Sequence, residues 1–580
     1  MPVDLGAYGA TGTSGWSVYT PSKSVADGGS HVYSTNIIYA SKSLGSDLYN
    51  GSAPTHTGGI NGPVKTIGKA IGGNGPGAYD PDDWHEAGQG TPVNGDGTGL
   101  GSRGAGNSFA LRSGCPDWVL LHKGDDFSDE FITTGWVAAT ASNDQFQKDG
   151  YSDDEPMLIS NYDPDHVDGD GNCIPDPVSA LPRPIIRPPI AYGASLITIA
   201  GSGSNYVHFV GLDGYASWRD PDHADFVDEA TVAANPIDGI SSSSNCIGLR
   251  VENCRLKFFG YNLSFNLGSV MTLHRVVSVN AWKPAGFAQG AYIQDVPYTI
   301  IQECFFDHNG WNKDFLDADW VRGRNLYVHL ESHHLTYQGV ISTRSASEGC
   351  QFRAENAQVL DSYFGRNPIG FTVGHNEANP TVLDMIVRYN VVQESVDDFI
   401  AGTNRGMGIC VENANGSGVQ VTANILSHGI GVQSNANWAQ LDSWSDGGSP
   451  SDGTHGITLT GNIVYKWHLG LLDDGSGDGH GSANVTSPND VDLTGAGSHP
   501  TFIDPERKLA DYARYLGLTV SEDDDVAFQA FVDAATDNCK DNWNPLLTAN
   551  AVNNWIRPGF GQAAYPVVGG PVTHRVTWAA

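Results

Sequence analysis

Several ionisable residues recur at one place in a repeating phrase. His308, Arg366, Glu394, His428 and Lys466 each stand two places after an apolar pair in their own segment, and Thr343 takes the equivalent place in another. Residues so spaced in stacked strands would lie about 4.8 Å apart. Arg366 would then neutralise the carboxylate of an acidic sugar while Glu394 or His428 moved a proton. The opposing reading is a ladder of alternating charges that fixes strand register. Arg353 and His375 edge a second candidate surface: Glu331 and Arg353 would point outward beside Gly374, whose missing side chain leaves room for a sugar ring. Asp397 and Asp398 offer paired carboxylates, the arrangement a glycosidase needs, although neighbours in a strand point to opposite faces. His333 and His334 lack a third ligand at metal spacing. From Tyr162 onward, Asp163, Asp165, Asp168, Asp170, Asn172 and Asp176 crowd one loop with hard oxygen donors suited to Ca²⁺. The loop departs from the EF-hand pattern, because Cys173 stands where that pattern has Gly.

The elements that carry these residues are short and repetitive. Segments starting at Asn253, Val279, Glu303, Gln338, Asp361, Tyr389, Ala423 and Gly461 open small or polar, run through two apolar residues and turn polar again. Self-similarity at roughly 23 to 38 residues is the signature of a solenoid. β-Branched or aromatic runs of this length, closed by Gly, Asn or Asp with no helical pattern between them, predict a parallel β-helix. The shared frame puts Phe306, Ile341, Phe364, Val392, Leu426 and Val464 in equivalent positions. A second strand set alternates inward residues (Ala291 and Ile293, Cys350 and Phe352, Phe371 and Val373, Ile409 and Val411) with outward Tyr292, Gln351, Arg353 and Thr372.

Composition bounds the function. Gly supplies 72 of 580 residues, well above the usual 7 %, as expected where each rung needs tight turns. A net charge of −34 excludes nucleic acid as a partner, since phosphate needs a basic face. No run of eighteen apolar residues exists, so no membrane-spanning helix is expected. The opening MPVDLGAYGATGTSGW shows neither the basic nor the apolar region of a secretory signal. Eight Cys with no CxxC predict buried thiols rather than a disulfide scaffold. Trp282, Trp311, Trp320, Trp444 and Trp467 fall near inter-rung loops, where a sugar face could stack.

Three parts follow: a Gly/Asp-rich entry and capping region over 1–185, the β-helix over 186–500, and a helical cap and tail over 501–580. In the first, Ile67, Ala70 and Ile71 stand at helical spacing. In the last, Asp504 is the expected N-cap with Pro505 at the first helical position. Three stretches carry a family likeness: YASKSLGSDLYNG with GPVKTIGKAI and PDWVLLHKGD near the start, QFRAENAQVLDSYFGRNPIGFTVG in the rungs, and TANAVNNWIRPGF near the end. Together they resemble right-handed parallel β-helix repeat proteins of the polysaccharide lyase and phage tailspike kind. The resemblance implies an all-β solenoid with an N-terminal cap helix and a C-terminal helical cap. It also implies a protein outside the cell or on a virion that binds, and as an enzyme depolymerises by lyase or hydrolase chemistry, an extracellular acidic polysaccharide. No organic cofactor is expected; a homotrimer or attachment to a larger virion assembly is. The alternative is a structural virion or surface protein that binds glycan without chemistry.

Overall fold

The computed structural model describes most of residues 37–71, 117–135, 156–312, 323–374, 384–429, 456–471 and 489–565, with short pieces elsewhere, among them 16–19. Among these residues the strands form three long sheets of twelve, twelve and eleven strands, every neighbouring pair within them parallel. Each rung passes through the first, the second and then the third sheet before starting again. Strands of the second sheet are only three residues long, as in Phe305–Asp307 and Val391–Val392–Gln393, so one side chain of each points inward between two pointing out. The interior is one continuous apolar column, from Ile38 at one end to Trp467 at the other.

The ladder begins earlier than the repeat suggests. Ile37–Ala40, Trp118–His122 and Met157–Tyr162 already stack in register in the first sheet, so the solenoid starts at Ile37 rather than near 186. Insertions as long as 41–117 between these first strands hide the period. Helix α1 (Ile67–Ile71) caps this end as expected, with Ile67 and Ala70 fully buried against the first strands. The Ile67 amide donates to Glu130 Oε2 at 3.2 Å, which satisfies one of the first turn's unpaired donors.

Five of the six residues expected to be equivalent are. Phe306, Phe364, Val392, Leu426 and Val464 align in register and all lie in the interior. Ile341 does not; Ser342 takes its place and Ile341 points outward. The apolar pair of that segment, Val340–Ile341, straddles the corner, so counting from it slips the strand by one residue. The polar Ser342 is tolerated inside because it accepts from Asn325 Nδ2 at 3.0 Å and donates to the Gly349 carbonyl at 3.0 Å. Corners between the first and second sheets are held by an internal ladder of Asn390, Asn424 and Asn462, each amide reaching the next at 3.0 Å.

Beyond the last rung the chain turns helical and folds back along the outside. Helices α3 (Leu509–Tyr515), α4 (Asp524–Thr536) and α5 (Ala549–Ile556) lay their apolar stripes on outward residues of the second sheet: Val277, Phe305, Ile341, Tyr363, Val391, Ile425 and Ile463. α2 is a single short helix, Glu229–Ala234, in an earlier connection. Asp504 is not the cap of α3, which opens four residues later, after Lys508. Asp504 instead pairs with Arg507 at 3.0 Å, and the intervening Glu506 reaches down to the Tyr465 hydroxyl at 2.7 Å, pinning this stretch to the rungs. Asp523 caps α4, accepting from the Asp525 amide at 2.8 Å, and Thr548 caps α5.

Candidate functional site

The outer faces of the second and third sheets differ in chemistry, and that difference locates the site. On the third sheet the middle outward column reads Ser264, Tyr292, Tyr327, Gln351, Thr372 in successive rungs. One column nearer the preceding corner lie Tyr261, Gln289 and Arg324, with Asp238 before them and Glu348 after. On the other side stand Gln294, His329 and Arg353, with Gly374 below.

These side chains form one connected surface. Tyr261, Tyr292 and Tyr327 have ring centroids 6.0 and 5.6 Å apart, and His329 sits 5.3 Å from Tyr327. Arg324 lies over the Tyr327 ring at 4.6 Å and pairs with Glu348 at 2.8 Å. Arg353 donates to the Tyr327 hydroxyl at 2.9 Å, fixing the ring from the other side. At the upper end Lys283 stands 3.8 Å over Tyr261 and 3.8 Å from Asp238, whose Oδ1 also accepts from the Tyr261 amide at 3.1 Å. The three tyrosines are half-buried, so each keeps part of a ring edge or face for a ligand.

Burial sets the protonation of this surface. It pushes the Tyr261 hydroxyl up to about 12, and Asp238 beside it acts in the same direction, so the phenol stays a hydrogen-bond donor at any physiological pH. Burial also raises Asp238 and lowers Lys283, in both cases outweighing their mutual attraction. Each is thereby moved toward its neutral form, the condition under which a carboxyl group can give a proton and an amine can take one.

The expected column of ionisable residues is real but shifted and covered. His308, Arg344, Arg366, Glu394, His428 and Lys466 occupy the left-handed corner after each second-sheet strand; Arg344, not Thr343, belongs to it, following the one-residue slip at Ser342. This column does not line an open groove: helix α4 and the segment before α3 sit on it. Arg366 pairs with buried Glu394 at 3.4 Å and with Asp525 of α4 at 2.7 Å, and its guanidinium lies 4.2 Å over Phe528. His428 meets Glu506 at 3.3 Å, and burial holds its imidazole down at about 4. The column fixes register and anchors the helices.

Of the second group, Arg353 joins the third-sheet surface, but its neighbour one rung up is His329, not Glu331. Glu331, His375, Asp397, Asp398, Asp170, Trp320 and Trp444 lie outside the described residues. In the acidic loop Asp163 accepts from the Asp165 amide at 3.0 Å, Asp168 from the Asn172 amide at 2.9 Å, and Asp176 turns inward to Asn253 at 3.2 Å. Asp165 is exposed, and among the described residues no three acidic, His or Cys side chains converge as a metal would need. His333 and His334 contact each other through their Nδ1 atoms at 2.5 Å. Trp282 and Trp467 are core residues rather than sugar platforms, because both fill corners of the solenoid interior. Cys246, Cys254, Cys304, Cys350 and Cys410 are buried thiols as expected.

Tyr327, Arg324, Lys283 and Asp238 were not singled out by sequence. Alternation along RNLYVH carries the signal for Tyr327, which stands between inward Leu326 and Val328.

No family model matches the chain, and no curated protein matches it. Among solved structures it is similar to the pectate lyase Pel9A, at 14 % identity and a TM-score of 0.36 over 85 % of this chain and 86 % of that one. It is similar to the Dettilon tailspike protein at 10 % identity and a TM-score of 0.35, over 60 % of this chain and 55 % of the tailspike. A third likeness, at 10 % identity and a TM-score of 0.34 over 66 % of each chain, is to the catalytic domain of a GH87 alpha-1,3-glucanase. By its own sheets the molecule is a parallel β-helix.

Proposed function

We propose that the third sheet binds an extended acidic polysaccharide along the solenoid axis and is the surface at which any cleavage occurs. One observation carries this: Tyr261, Tyr292 and Tyr327 stand in successive rungs, flanked by the cations Lys283, Arg324 and Arg353. Rung spacing is close to the length of one pyranose unit, so each ring meets a successive sugar. Aromatic faces take the apolar side of a sugar ring, and guanidinium groups take its carboxylate. Asp238 and Lys283 are the groups on this surface closest to exchanging a proton with substrate. This reading carries with it the extracellular or virion setting, and the trimer, that the family resemblance implies.

The test is incubation with acidic and neutral polysaccharides. Binding is followed by gel retardation, elimination by the ultraviolet absorbance of unsaturated uronate, and hydrolysis by reducing ends alone. Tyr327→Ala is expected to weaken binding of an acidic polymer about 10- to 100-fold, since a stacking ring and the anchor of Arg353 are lost together. Binding without either product makes the protein a glycan-binding structural component. Unchanged binding by Tyr327→Ala removes the third sheet from the reading.

A further inference from the structure

The helical segment carries one aromatic feature that its packing does not use. Among its other large rings Tyr512 is 2 % exposed, Phe528 1 %, and Phe531 and Phe560 are fully buried, while Phe502, Trp543 and Trp555 are partly buried. Tyr515, at the end of α3, is 71 % exposed. Its ring lies 6.1 Å from that of Trp555 on α5, tilted by 33°, and 6.1 Å from Tyr512, tilted by 22°. The three rings therefore make a shallow shelf, with Tyr512 as its floor and Tyr515 and partly buried Trp555 reaching solvent. Its edges are polar. Arg507 lies 5.1 Å over Trp555, donates to the Trp555 carbonyl at 2.7 Å and pairs with Asp504. On the α3 side Asp511, one turn before Tyr515, pairs with Arg514 at 2.7 Å.

We propose that the Tyr515–Trp555 shelf is a further saccharide-binding site, which holds a stretch of polysaccharide of the same class. It borrows from the function proposed above only the class of ligand. Size and chemistry argue for a sugar over a protein. A stable protein interface buries about 800 Å² per partner, whereas two rings bounded at once by charged pairs offer a footprint of one or two sugars. A flat apolar surface ringed by donors and acceptors matches a pyranose, whose faces are apolar and whose rim is hydroxylated. Two sites on one chain would raise the avidity for long polymers without changing that for short ones.

The experiment is affinity electrophoresis of the full chain in gels containing an acidic polyuronate or a neutral glucan, comparing the parent with Tyr515→Ala and Tyr327→Ala. Tyr515 is exposed enough that its loss should leave the melting temperature unchanged, which is measured alongside; Trp555→Phe serves as a second variant that keeps the packing. Tyr515→Ala is expected to weaken retardation by a long polymer roughly tenfold, with Trp555→Phe showing a smaller loss. Retardation equal to the parent overturns the shelf, even where Tyr327→Ala abolishes it and so supports the third-sheet site. Loss in Tyr515→Ala with none in Tyr327→Ala keeps the shelf and removes the third-sheet site. Retardation of the parent by neither polymer overturns both. A parent dimer that Tyr515→Ala dissociates makes the shelf a self-association surface and overturns its saccharide role.

Discussion

The second and third sheets share a rung repeat, a parallel register and an interior, yet one is sealed by helices and the other presents tyrosines and cations. Their difference lies wholly in the outward positions. Val277, Phe305, Ile341, Tyr363, Val391, Ile425 and Ile463 make an apolar strip one residue wide and seven rungs long, whose exposure to water would be costly. Ser264, Tyr292, Tyr327, Gln351 and Thr372 make a strip with hydrogen-bonding capacity in every rung. In a solenoid, then, outward apolar columns call for cover by the same chain, and outward aromatic-polar columns can wait for a ligand. The change occurs even within the second sheet. Its early rungs present Arg187, Tyr215 and Lys257 outward, and α4 ends near them, at the Arg255–Asp537 pair of 2.6 Å, although the segment beyond it still reaches Lys123 through Asp541 at 2.6 Å.

Breaking the seal should have the largest effect. Phe531 of α4 is fully buried on the second-sheet strip, and Phe531→Ala is expected to cost about 3 to 5 kcal/mol. Urea unfolding measures the loss, while polysaccharide binding at temperatures where the variant stays folded should be unchanged. A loss below 1 kcal/mol would mean that the helices merely rest on the strip.

Titration separates the two faces next, because two groups of opposite sign lie under the helices. His428, faced by Glu506, Lys466 and Lys508, is held down at about 4 from an ordinary 6.5 by burial. The stability its neutral ring contributes is present above pH 6.5 and is lost as pH falls through 4. Asp361 is pushed up to about 6 from 3.8 by burial, with the Asn550 and Asn553 amides of α5, and Arg557, acting against that shift and Glu303 with it. Its contribution is present below pH 3.8 and lost as pH rises through 6. Each amounts to about 3 kcal/mol at one pKa unit per 1.4 kcal/mol, so between pH 4 and 6 the two slopes offset. His428→Gln should leave a protein that gains stability on acidification over this range, and Asp361→Asn one that loses it. Parallel profiles for parent and both variants would mean that neither group stays buried as the helices dock.

How much of this was legible in the sequence depended on where each environment comes from. The second-sheet interior was legible because an apolar pair repeats in every rung; it failed at Ile341, where the pair Val340–Ile341 begins in the corner. The early rungs were not legible, because insertions between Ala40 and Trp118 swamp a local period. Outward positions of the third sheet followed from alternation alone, Tyr292 and Arg353 included. The fate of Arg366, Glu394 and His428 could not follow from alternation: what buries them are Asp525, Phe528 and Glu506, nearly 80 to more than 150 residues further along the chain. Periodicity tells which residues point outward, and only the remote partner decides whether outward means exposed.

The smallest effect sharpens the boundary between the faces. Lys466 closes the lower end of the corner column, where its Nζ meets Glu506 at 2.5 Å with both groups substantially exposed. Such a pair is screened by water and salt and contributes less than about 1 kcal/mol. Lys466→Ala is therefore expected to lower stability by at most that amount, with the difference vanishing at high ionic strength, and to leave polysaccharide binding unaltered. The second measurement is the informative one, since Lys466 is the most accessible cation of the column first expected to bind an acidic sugar. If its removal weakens binding as much as Tyr327→Ala does, the ligand runs along the rim of the sealed sheet and the contrast between the two faces is not what selects the binding surface. If only stability at low salt responds, the charges at that rim serve the helices, and the third sheet keeps the ligand to itself.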